Sequence, residues 1–151
     1  MAASTQDKVE AIKKVPLFKG ADQNQVQLIA MQADEVQVQP GMSLATQGGK
    51  GDELMIVLEG RAEVTRDGKH LADLGAGDFF GEISLLDAGP RMATVTASSP
   101  MRTLVIHREN FQSIQETTPG LSDVIVIELA SRLRDLSEFY TTKSPEIRWI
   151  W

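Results

Sequence analysis

The chain has 151 residues, 42% hydrophobic and 24% charged, enough for one compact domain with a sizeable core and unlike a disordered chain. Its net charge of -6 argues against a nucleic-acid backbone or an anionic membrane as partner. Having no cysteine, it offers no disulfide and no thiolate metal site, and His70 and His107 are too few for a zinc cluster without carboxylate help; neither a metal nor a cofactor is expected. From the amino end, residues 1–8 are polar and lack the apolar core of a secretion signal, which predicts a cytoplasmic location. Residues 7–15 carry Val9, Ile12 and Val15 at helical spacing, and Pro16 stops the helix. Asp22 is placed to cap a second helix running to about residue 31, with Val26, Ile29 and Ala30 on one face.

The pattern then turns to strands. Val36-Gln37-Val38 alternates before the turn at Pro40-Gly41, and residues 54–58 form a dense apolar run closed by Gly60. Ala62 and Val64 alternate with polar neighbours up to Asp67-Gly68, a hairpin turn, and Leu71 and Leu74 lie on the returning strand. Gly75, Gly77 and Asp78 punctuate before Phe79-Phe80. Residues 92–97 and 102–106 predict two more strands, separated by Ser98-Ser99-Pro100. Short strands at this spacing predict a sandwich, barrel or jelly roll.

Helices return after His107. Phe111 and Ile114 mark a short one, broken at Pro119-Gly120. Leu121, Val124, Ile125, Leu129, Leu133, Leu136 and Tyr140 then trace one apolar stripe over residues 121–140, with Arg132, Arg134, Asp135 and Glu138 on the other faces. No apolar stretch reaches membrane-spanning length. The expected class is α+β, mainly β: a β-roll or jelly roll of about eight strands between N-terminal and C-terminal helices. The expected organisation is a single domain over 1–151. It comprises a helical segment at 7–32, the β-roll at 34–107, C-terminal helices at 108–140 and a tail at 141–151.

The stretch from Phe80 to Val95, FGEISLLDAGPRMATV, carries the chemistry. Gly81 lets backbone approach a ligand closely. A short helix over 82–86 directs free N–H groups at an anion. Arg91 adds a planar, permanently charged fork for phosphate oxygens, and Glu82 is an acceptor suited to a sugar hydroxyl. A phosphate site beside a ribose acceptor describes a nucleotide.

Taken whole, this string resembles the phosphate-binding cassette of cyclic-nucleotide-binding domains, the family of protein kinase A regulatory subunits, gated channels and the catabolite activator protein. The likeness rests on Phe80, Gly81, Glu82, Ile83, Ser84 and Leu85, then Pro90, Arg91, Ala93, Thr94 and Val95. It extends to the turn glycines Gly41, Gly48, Gly60 and Gly77 and to Val-Pro-Leu-Phe at 15–18. The resemblance implies a cassette over 80–95, with Arg91 on the cyclic phosphate, assisted by the N–H groups of Ile83, Ser84 and Ala93. It implies Glu82 on the ribose 2′-hydroxyl and Val64 and Leu71 as walls of the base. Met92 stands where the family usually has Ala, Ser or Thr. Lacking a hydroxyl for guanine, it tilts the expected ligand to cAMP over cGMP. The resemblance also implies a base cap from the end of the last helix or beyond, with Arg134, Phe139 and Tyr140 as candidates and Trp149 and Trp151 in the tail.

The expected function is a non-catalytic sensor that signals through movement of its C-terminal helix to an effector protein or a second subunit. Two rivals are a pseudo-domain kept as an interaction module and the sensor half of a DNA-binding regulator. The intact Glu82 and Arg91 pair counts against the first. The few residues after Tyr140, too short for a helix-turn-helix, count against the second. No nucleophile–base pair points to an enzyme.

Overall fold

The computed structural model describes residues 2–142, with side chains as far as Glu138. Helix α1 (Thr5–Lys13) begins ahead of residue 7 because Ser4 caps it. The Ser4 hydroxyl accepts the Asp7 N–H, and the Asp7 carboxylate accepts the Ser4 N–H, both at 3.1 Å. After a 3₁₀ turn at Pro16–Phe18, Asp22 caps α2 (Gln23–Gln32) with the same reciprocal pattern through Gln25.

Eight strands follow: β1 (Asp34–Val38), β2 (Ser43–Ala45), β3 (Glu53–Glu59), β4 (Ala62–Arg66), β5 (Lys69–Leu74), β6 (Phe79–Phe80), β7 (Thr94–Ala97) and β8 (Met101–His107). They form two antiparallel sheets of four, in the orders β1-β8-β3-β6 and β2-β7-β4-β5. The mainly β class and the eight-stranded roll read from the sequence are the observed ones. β2 has only three residues, too few to show an alternation, and went unread. The strand expected from residue 92 starts at Thr94, because Arg91, Met92 and Ala93 remain irregular.

Two apolar layers hold this arrangement. Val57, Val64, Phe80, Val95, Ala97, Met101 and Val105 pack between the sheets. On the outer side of the first sheet, Leu54, Ile56, Leu104 and Ile106 pack against Ile12, Leu17, Phe18, Ile29 and Phe111 of the helical segments. Strands β3 and β8 are thus covered on both faces, which explains the unbroken apolar run at 54–57 where a half-exposed strand would alternate.

Helices α3 (Arg108–Thr117) and α4 (Leu121–Thr142) complete the described chain. The stripe expected on α4 is only partly the buried face. Leu121 and Ile125 are buried and Leu129 and Leu136 half-buried, but Leu133 is 68% exposed and its neighbour Arg132 is buried instead. The inward line runs Leu121, Ile125, Glu128, Arg132, an 11-residue drift around the helix rather than a strict leucine stripe. A second departure lies in the β4–β5 hairpin. Val64 faces Ala72 and Thr65 faces His70, so Leu71 is the extra residue of a bulge. That bulge turns Leu71, expected as a wall of the base, out to 43% exposure.

Candidate functional site

The site is built around Arg91. Strand β6 delivers the chain to Gly81, whose φ of +82° starts a 3₁₀ turn over Glu82–Leu85, shorter and tighter than the helix expected there. Arg91 lies across this turn, 8% exposed. Its Nη1 donates to Ser84 Oγ at 3.1 Å and its Nη2 to the Glu53 carbonyl at 3.0 Å. The guanidinium carbon sits 5.8 Å from the centre of the Phe80 ring, a cation–π contact. Two glycines make room for it. A Cβ on Gly51 would lie 2.8 Å from Ser84 Oγ and 3.0 Å from Arg91 Cδ, and one on Gly81 would collide with Arg91 Nη1 and the Glu53 carbonyl.

The backbone of Arg91 is fixed as firmly as its side chain. Its carbonyl accepts the Gly48 N–H at 2.8 Å, its N–H donates to the Gly49 carbonyl at 2.7 Å, and Gly51 N–H reaches the Gly89 carbonyl at 3.1 Å. Burial pulls the guanidinium below its ordinary value, opposed by the nearby charges of Glu53 and Asp52. Both hydrogen-bond acceptors of the guanidinium are neutral, and the ion pairs among the described residues do not include Arg91. It is a nearly buried, permanently charged fork whose charge no carboxylate contacts directly.

Glu82 is held by the helical elements. The side chain is 2% exposed and turns toward the helical layer. One carboxylate oxygen lies 2.7 Å from Nη2 of Arg132, and the other accepts the Leu17 N–H at 3.3 Å. Arg132 also lies 3.6 Å from Glu128, one turn back along α4. Burial raises the Glu82 pKa, against the lowering effects of Arg132 and the Leu17 amide. The cassette is therefore tied by one buried ion pair to the last described helix and by one backbone bond to the 3₁₀ turn before α2.

These features agree with a comparison at family level: the sequence profile described as cyclic nucleotide-binding domain matches residues 35–118. The chain belongs to the cyclic nucleotide-binding domain family. It is similar to a cAMP-dependent protein kinase regulatory subunit of Yarrowia lipolytica, 34% identical over 105 residues, which covers 68% of this chain and 28% of that protein. It is also similar to a CRP-like cAMP-activated global transcriptional regulator of Mycobacterium tuberculosis, 28% identical over 130 residues, 83% of this chain and 58% of that protein. Among solved structures, the N-terminal domain of a transcriptional regulator from Streptomyces coelicolor A3(2) superposes with a TM-score of 0.78 at 31% identity, covering 85% of this chain and 95% of that one. The chain spans 28% and 58% of the lengths of the two curated relatives. The family match ends at residue 118, so α4 and Arg132 lie beyond it.

Within the domain, the remaining residues singled out by the motif divide. Ser84 meets Arg91 through its hydroxyl, while its N–H is spent inside the turn on the Gly81 carbonyl at 3.0 Å. Ile83 is half-buried and Ala93 buried. Val64 is fully buried between the sheets, whereas Met92 and Leu71 are exposed. Arg134 is exposed on α4; the side chains of Phe139 and Tyr140, and all of Trp149 and Trp151, lie outside the described residues. Sequence reasoning missed Gly51 and Arg132. The signal for Arg132 was the 121-125-128-132 spacing, obscured by the leucines beside it. Among the described residues, no helix is long and apolar enough to cross a membrane.

Proposed function

We propose that the domain is a regulatory sensor for cAMP, with the cyclic phosphate on Arg91 and the signal carried by α4 to an effector protein or a second subunit. The observation that carries this reading is the Arg91 fork, nearly buried in a glycine-lined cradle and hydrogen-bonded only to neutral acceptors. A singly charged phosphodiester supplies a counter-charge in direct contact with the fork, where the Glu53 and Asp52 carboxylates act on it only through space. Two of the similar proteins carry cAMP in their names, which supports cAMP as the first nucleotide to try. Met92, with no hydroxyl to offer guanine, favours cAMP over cGMP in the same direction.

Glu82 supports the signalling half. An ionised carboxylate has about four lone-pair sites, so two commitments leave capacity for a ribose 2′-hydroxyl on the same group. A ligand that draws Glu82 toward itself competes with Arg132 and alters how α4 is held. Ligand and helix then bias one equilibrium through a shared side chain. The exposed apolar residues Val126, Ile127 and Leu133 give α4 a surface through which a change in its position can be read.

Titration calorimetry with cAMP and cGMP tests the ligand. We expect micromolar or tighter binding of cAMP, about -8 kcal/mol or better, with cGMP weaker. Arg91→Ala is expected to cost roughly 2–5 kcal/mol of that binding. Absence of heat with millimolar cAMP, or unchanged affinity in Arg91→Ala, would sink the reading and leave an interaction module that retains the fold.

A further inference from the structure

Beyond the cassette, one short segment, Gln47 to Gly49, joins three parts of the site. Gln47 Nε2 donates to Asp67 Oδ1 at 2.8 Å, while the Asp67 N–H donates back to Gln47 Oε1 at 2.9 Å, a closed ring of two hydrogen bonds. The Gln47 N–H donates to Thr94 Oγ1 at the start of β7, at 2.9 Å. Its neighbours Gly48 and Gly49 make the two backbone bonds that fix Arg91. One short segment thus grips the tip of the β4–β5 hairpin with a side chain and the backbone of Arg91 with its peptide groups.

The Asp67 end of the ring is conformationally specified. The strands pair up to Arg66 and Lys69, leaving Asp67-Gly68 as a two-residue turn with φ of +52° and +77°. Asp67 is the one non-glycine residue with positive φ among the described residues. Such a conformation costs a side-chain-bearing residue unless its surroundings hold it. The hairpin also carries Val64, which pairs with Val95 of β7 and faces the inter-sheet core.

We propose that Gln47 is a positioning residue for ligand retention: it locks the β4–β5 hairpin to the segment that holds Arg91, and so sets how long a bound nucleotide stays. This inference rests on the cyclic-nucleotide reading above. Gln47 touches no ligand in this account; it acts through Asp67 on one side and Arg91 on the other. Breaking the ring frees the hairpin tip without altering the guanidinium, so dissociation accelerates while association changes little.

The test is stopped-flow release of a fluorescent cAMP analogue chased with excess cAMP, on the full chain. Gln47→Ala is expected to speed release about fivefold, the effect of losing exposed hydrogen bonds of ordinary net strength. Gln47→Glu sets two carboxylates face to face and is expected to be worse. Gln47→Glu combined with Asp67→Asn restores the ring, with Asn now the side-chain donor, and is expected to return release to within about twofold of wild type. A general loss of fold would lower the melting temperature of all three variants together and would not be repaired by exchanging donor and acceptor. Unchanged release in Gln47→Ala, or no recovery in the double variant, overturns the inference while leaving nucleotide binding intact. Failure of the wild type to retain the analogue at all overturns the ligand reading itself, and this inference with it.

Discussion

Gly81 concentrates the demands that the site makes on single residues. It takes a φ of +82°, and a Cβ there would strike the Arg91 fork from below. Gly81→Ala therefore combines left-handed strain of about 1–2 kcal/mol with displacement of the guanidinium. We expect a folded protein with lowered stability by urea denaturation and cAMP binding reduced beyond calorimetric detection; near-normal affinity would show that the cradle is not needed. The buried pair makes a pH-dependent case. Burial holds the Glu82 carboxyl above its ordinary range despite Arg132 and the Leu17 amide, with Glu128 adding to the rise. The folded state then keeps the Glu82 proton to higher pH than the unfolded chain does. The stability this adds is complete below the unfolded value, about 4.3, and is lost as pH rises through the raised folded value. Glutamine has no such titration. Urea denaturation across this range is expected to show wild type gaining on Glu82→Gln as pH falls from about 7 to about 4. A gap that is constant, or that moves the other way, would contradict the raised value. Arg132→Met leaves the carboxylate buried without its cation and is expected to cost roughly 3–5 kcal/mol near neutrality and less in acid.

Helix α4 shows why some elements are legible in a sequence and others only in outline. Its existence follows from seven apolar residues at helical spacing, and its start from Pro119-Gly120. Which face is inward does not follow, because an apolar side chain and a buried ion pair compete for the same groove. Arg132 wins that place by meeting Glu82, and Leu133 is turned to solvent as a consequence. Local patterning carries no information about a carboxylate fifty residues upstream. The same limit hid the bulge at Leu71, which depends on the register of β4 against β5, and β2, which exists because Ser43 and Ala45 pair with β7. In contrast, β3, the Asp67-Gly68 turn and the cassette glycine were legible, since each is dictated by its own residues: an apolar run, a dipeptide that tolerates positive φ, and a missing Cβ. The face assignment is checked by paired substitutions. Leu133→Lys is expected to change stability by less than about 0.5 kcal/mol, as at an ordinary surface position. Ile125→Ala, on the buried line of the same helix, is expected to cost about 2–5 kcal/mol. Chemical denaturation giving similar losses for both would mean that α4 sits rotated from the position described.

At the scale of the whole molecule, the cassette is the point where the β-roll and the helical layer share side chains. Phe80 packs between the sheets, Leu85 belongs to the helical core, and Glu82 joins α4 and the segment before α2. A ligand that binds only this assembled arrangement stabilises both layers together. At a free cAMP concentration about 100-fold above Kd, linkage adds about 2.7 kcal/mol to the unfolding free energy. For a chain of this length each kcal/mol moves the melting temperature by about 2–4 °C, so a rise of about 5–10 °C is expected. Arg91→Ala at the same cAMP concentration is expected to show about a third of this rise or less, since a binding loss of roughly 2–5 kcal/mol brings the ligand close to or below its new Kd while the fold is kept. Arg132→Met separates ligand binding from its transmission. If Glu82 is the shared group, this variant starts from a lower melting temperature but retains a shift of similar size, because the phosphate contact is untouched. Amide exchange along α4, protected to a different degree with and without cAMP in wild type, is then expected to become insensitive to the ligand. A variant that loses the thermal shift together with its stability would place Arg132 in the binding site itself; one in which α4 exchange still responds to cAMP would route the signal through another contact of the cassette.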